Sequence, residues 1–126
     1  MKEYWEAYPN GKGIYGVLDD GVVAFFVAAG LGSPVRGTEL FMNMMQFFGD
    51  EVKAVAGNWF IGHQGSPSIN IDKVNELTKQ GVVLEEAAKR TWTATRAKKL
   101  GFVALSLVEV EGQPGAFTKV RVKIER

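Results

Sequence analysis

No cysteine occurs in the 126 residues, so neither a disulfide framework nor a thiolate metal site is available. A single histidine, His63, excludes an all-histidine zinc site within one chain. The longest apolar run, Gly21 to Leu31, falls well short of the ~20 residues that a membrane-spanning helix needs. The opening residues, MKEYWEAYP, hold no apolar core of a secretory signal. P-loop, dinucleotide fingerprint, HExxH and GxSxG motifs are all missing. These absences lead us to expect no cofactor, no metal and no membrane partner.

What remains is an ordinary globular composition, 46% hydrophobic and 23% charged, with eight phenylalanines and three tryptophans to fill an interior. One domain over 1–126 is expected at this size. Net charge is +1, too small for a global field that steers the chain onto nucleic acid. Locally the balance is uneven. Lys89, Arg90, Arg96, Lys98 and Lys99 follow one another with no acid between, and Lys119, Arg121, Lys123 and Arg126 close the chain against Glu125 alone. Such basic stretches suit phosphate contact as well as a solvated face.

The pattern predicts α+β, a small mostly antiparallel sheet packed by about three helices in the order ββαβααββ. Residues 1–12 end in a Pro9-Asn10-Gly11 turn. Two β-rich runs around Asp19-Asp20-Gly21 read as a hairpin, the second so apolar that burial on both faces is expected. A helix from Thr38 to Gly49 aligns Leu40, Met44 and Phe47 or Phe48 as core. Glu51 to Ala56 reads as a short strand. Ser68 or Asn70 caps a helix along which Ile71, Val74 and Leu77 share one face, and Gly81 ends it. One long helix is expected over about Leu84–Leu100, with Glu85–Lys89 and Glu86–Arg90 pairs. Phe102–Val110 and Phe117–Glu125 complete the sheet. In the last, Thr118, Val120, Val122 and Ile124 face inward and Lys119, Arg121 and Lys123 outward.

The stretch Gly57 to Asn75 attracts functional attention, because loops on a rigid scaffold carry chemistry. His63 has the only side chain whose ordinary pKa lies near neutrality, the natural general acid or base. In-line attack of a ribose 2′-hydroxyl needs such a base and cations around the phosphate, which His63, Thr95, Arg96 and Thr118 supply as a catalytic set. Trp59, Ser68, Asn70, Thr91, Thr93 and Lys98 are the candidate substrate-binding residues, with Trp59 either stacking on a base or, directly after a strand, lidding the core. Three threonines in TWTAT are a local inconsistency for a helix. They serve either a ligand or their own helix carbonyls. Asn75 reads as a surface residue.

The ordered series FFGDEVKAVAGNWF, PSINIDKVNELTKQGVVLEEAAKRTWTATRAKKLGF and GQPGAFTKVRVKI resembles the C-terminal toxin domains of bacterial polymorphic toxins, of the Rhs and contact-dependent inhibition kinds. The pattern is G-x-W, N-(I/L)-x-x-(V/F)-N, T-(W/F)-T, G-F and P-G-x-(Y/F)-T, and it covers about residues 40–126. It implies a small α+β ribonuclease toxin that cuts RNA, often tRNA. It also implies delivery within a larger secreted protein, action in the target-cell cytoplasm and neutralisation by a cognate immunity protein. Related chains often carry T-x-T-G-K where this one has Ala94, Thr95 and Arg96, so Arg96 inherits the lysine's phosphate role only loosely. A second enzyme reading is an ADP-ribosyltransferase using Arg36, Ser66 and Glu109 or Glu111. A third is a binding module with no catalysis.

Overall fold

The computed structural model describes residues 1–28, 36–61 and 69–126. The fold is α+β, six mostly antiparallel strands with four α-helices. Its packing divides into two compact units, Met1–Ala54 and Val55–Arg126.

The first unit is a three-stranded meander covered by one helix: β1 (Lys2–Ala7), β2 (Gly13–Asp19), β3 (Val22–Ala28) and α1 (Gly37–Phe48). β2 pairs antiparallel with both neighbours. The β2–β3 hairpin turns at Asp20 and Gly21, both at positive φ (51° and 79°), the conformation a two-residue loop needs to match strand twist. Between β1 and β2, Gly11 N–H donates to Tyr8 O at 3.1 Å, with Gly11 at φ 77°.

Strand alternation then sorts the meander into two faces. Ile14, Gly16, Leu18 and Val23 turn to the helix side and are buried. Leu40, Phe41, Met44, Met45 and Phe48 of α1 supply the other half of this core. Gly16 lies so close to the Met44 side chain that a Cβ there would sit 2.3 Å from its sulfur. Aromatic pairs finish the packing: Phe25 on Phe41 at 5.2 Å, Tyr4 on Phe47 at 5.1 Å. Each fully buried ring contributes about 1.5–3 kcal/mol by leaving water. The opposite face is open. Ala24 and Phe26 are exposed, so β3 is not buried on both faces as its apolar run suggests.

The second unit holds β4 (Ala54–Phe60), α2 (Ile69–Lys79), α3 (Leu84–Lys89), α4 (Trp92–Lys99), β5 (Ala104–Glu111) and β6 (Lys119–Glu125), with β6 between β4 and β5. Val120, Val122 and Ile124 are buried as their alternation predicts. Thr118 is not with them. It precedes β6 and is exposed.

Two other expectations change. The single helix over 84–100 is two helices, because Thr91 leaves helical geometry (ψ 163°) and its Oγ1 accepts from Ala94 N–H. β1 is a strand where only a turn was expected: Tyr4 and Glu6 lean to the core side while Glu3 and Trp5 face out, an alternation hidden by charges and aromatics on both faces.

Candidate phosphate-binding site

The motif residues of the second unit converge on α2, and most of them are spent there. Asn70 Nδ2 donates to Thr93 Oγ1 at 3.0 Å, and Thr93 N–H donates back to Asn70 Oδ1 at 3.3 Å. Asn75 does the same to the chain before β6: Phe117 N–H donates to its Oδ1 at 2.7 Å, and its Nδ2 donates to Phe117 O at 3.0 Å. Thr78 Oγ1 donates to Val74 O at 2.9 Å and accepts from Gly115 N–H at 2.8 Å. Asn75 is thus half-buried and doubly bonded, not a surface residue. The side-chain amide copies the donor and acceptor that a neighbouring strand would offer, so backbone outside the ladder stays satisfied.

The G-x-W block has a packing explanation too. Trp59 is 3% exposed. Its indole lies over its own strand neighbour two residues back, where a Cβ on Gly57 would sit 2.8 Å from the ring. Trp59 therefore fills the core, as its core-lid reading has it, and presents no face for base stacking.

Thr91 and Thr93 are buried. Thr91 Oγ1 donates to Ala88 O at 2.7 Å while capping Ala94 N–H. With Asn70 on Thr93 N–H, side-chain oxygens take two of the first N–H groups of α4, groups that elsewhere form anion sites. Neither threonine is available to a substrate. Thr95 Oγ1 donates within its own helix, to Thr91 O and Trp92 O at 2.9 Å each. It also accepts from Arg96 Nη1 at 2.9 Å.

That last contact begins the part of α4 that faces outward. The Arg96 guanidinium lies 4.9 Å from the centroid of the Trp92 ring, one turn back on the same face. Lys98 and Lys99 follow, both exposed. Positive charge at a helix C-terminus offsets the negative end of its dipole, so the cluster is also locally stabilising. Thr118, exposed, donates through Oγ1 to Glu111 O at 3.3 Å, and its carbonyl accepts Ile61 N–H at 3.1 Å. These positions are tied to the α2 scaffold through Asn70 and Asn75. Arg96 and Lys98 stand out in the sequence by charge, whereas the contact of Arg96 with Trp92 is signalled only by their i, i+4 spacing.

His63, Ser66 and Ser68 lie outside the described residues. Arg36 is the exposed N-cap residue of α1. Glu109 accepts from Arg121 Nη1 at 3.1 Å and Lys119 Nζ at 3.4 Å, contacts that hold its carboxyl below the ordinary range. Glu111 stands 3.9 Å from Lys119 Nζ. Glu109 is thus committed to two cations. Among the described residues no group of three carboxylate or histidine side chains is placed to hold a metal ion. No helix among them is long and apolar enough to cross a membrane.

Compared with known proteins, the chain matches no family, no curated protein and no solved structure.

Proposed function

We propose that the chain is an RNA-directed toxin domain, a metal-independent endoribonuclease whose second unit grips the ribose-phosphate backbone through α4. The observation that carries this reading is the Arg96 guanidinium, braced by Trp92 at 4.9 Å and Thr95 at 2.9 Å, with Lys98 and Lys99 following it. A braced guanidinium loses little rotamer freedom on meeting a phosphate, and its fork matches phosphate oxygens two at a time. The unit around it carries eleven basic and seven acidic residues, a net charge of +4 with His63 neutral. The polymorphic-toxin resemblance points the same way and adds a tRNA substrate, a larger secreted parent and a cognate immunity protein to the proposal.

In this reading Arg96 and Lys98 offset the charge that develops on phosphate oxygens as the 2′-oxygen bonds to phosphorus and the 5′-oxygen leaves, taking a proton from water. His63 keeps the role of general base, as the one side chain with an ordinary pKa near neutrality. Incubation with total bacterial tRNA in a chelator, without NAD, is expected to yield discrete fragments. Arg96→Ala should slow the cleavage about 10²–10³-fold, as removal of one transition-state donor does. Intact tRNA, together with unimpaired growth of bacteria expressing the chain, would contradict the proposal.

A further inference from the structure

The open face of the first unit carries an aromatic row that the RNA reading does not use. Trp5 pairs in register with Tyr15, and Tyr15 with Phe26, so three rings stand side by side across β1, β2 and β3. Trp5 is 70% exposed, Phe26 62% and Tyr15 37%. With Tyr8 they line a groove of about 380 Å³. Clustered exposed rings of this size mark an interaction surface more often than they mark nothing.

Charge says what fits. The unit holds four basic and seven acidic residues, a net charge of −3. Glu3 lines its groove on the ring side, with Lys12 also in the lining. Tyr15 Oη donates to Glu3 at 2.7 Å, fixing an exposed carboxylate beside the rings. Nucleic acid would bring phosphates against these acids. A guanidinium satisfies both features, its plane stacking on an indole or phenol and its N–H groups meeting a carboxylate. β1 supplies the means of holding a chain, since among the described residues it ends the strand order and leaves one edge of Lys2–Ala7 without a neighbouring strand. A peptide added there sends every second side chain onto the aromatic face.

We propose that this face binds an arginine-bearing extended peptide segment, laid along β1 with a guanidinium on Trp5, at the near end of the aromatic row and beside Glu3.

The test titrates the full chain with a nonapeptide of alternating arginine and glycine, followed by calorimetry. The control peptide carries citrulline, which keeps the planar shape without the charge. The proposal expects saturable binding, at least tenfold weaker for citrulline and for Trp5→Ala, about threefold weaker for Glu3→Gln, and retained in Trp5→Phe. Arg96→Ala should leave it unchanged, which separates this site from the RNA reading. Equal affinity for the citrulline peptide, insensitivity to Trp5→Ala, or no binding would overturn it. So would a Trp5-dependent dimer of the chain without peptide binding, or RNA bound at this face.

Discussion

The two units solve the same problem, a sheet covered on one side by helix, with different chemistry. The first is closed by rings and methionines: Phe25 packs on Phe41, Met44 and Phe48 are buried, and its polar contacts sit at the margin, where Glu6 accepts from Tyr4, Tyr8 and Asn43. The second adds side-chain amides and hydroxyls bonded to backbone, at Asn70, Asn75 and Thr78. Their charges are opposed as well, −3 against +4. The contrast teaches that a conspicuous polar motif need not be the site. In the second unit the motif is architecture, and the basic side chains proposed to meet RNA lie outside it. In the first, where packing does the holding, exposed aromatics are left over.

The comparison breaks most visibly under core truncation. Phe41→Ala in the first unit should cost about 3–5 kcal/mol, read from denaturant midpoints. In the second, Asn75→Ala strands the Phe117 N–H and carbonyl together, at about 1–3 kcal/mol. A cost below about 0.5 kcal/mol would show that water replaces the amide and that the contrast is overdrawn. Gly57→Ala should fall in a similar range, about 1–3 kcal/mol, by pushing a methyl into the Trp59 ring.

Acidity sharpens the contrast further. Hydrogen bonds from Tyr4 and Tyr8 hold the Glu6 carboxyl below its ordinary 4.5. A depressed value means the folded unit takes the proton less readily than the unfolded chain. This contribution is therefore fully present above pH 4.5 and disappears as pH falls through the folded value. Tyr4 runs the other way. Burial, then its bond to Glu6, raises it from 10.0 to about 12, so its contribution is present below pH 10 and lost as pH approaches 12. Glu6→Gln should flatten the acid limb of a stability-against-pH curve, while Tyr4→Phe flattens the alkaline one. The smallest effect belongs to Trp5→Ala, expected within about 0.5 kcal/mol of the parent because the ring is exposed.

Much of this fold was legible because the signals are local. Asp20-Gly21 forces a hairpin, Val120, Val122 and Ile124 alternate cleanly, and Leu40, Met44 and Phe48 mark one helix face. The failures are tertiary. Thr91 has the look of a helix-interior residue until its hydroxyl is seen to cap the next helix. Trp59 sits in a polar segment, yet Gly57 opens the space that buries it. Asn75 has the spacing of a surface position, and only the returning chain at Phe117 reveals its partner. The same limit applies to the site. Arg96 and Lys98 stand out by charge, whereas the braces on Trp92 and Thr95 belong to three-dimensional packing.

The division of labour within the second unit is tested most directly by RNA affinity measured against salt. The measurement compares Arg96→Ala with Asn75→Ala at a temperature where both stay folded. Arg96→Ala should weaken binding and lower the slope of log affinity against log salt by about 1, the loss of one phosphate contact. Asn75→Ala should keep both affinity and slope. The reverse result, with affinity lost at Asn75 and unchanged at Arg96, would contradict it.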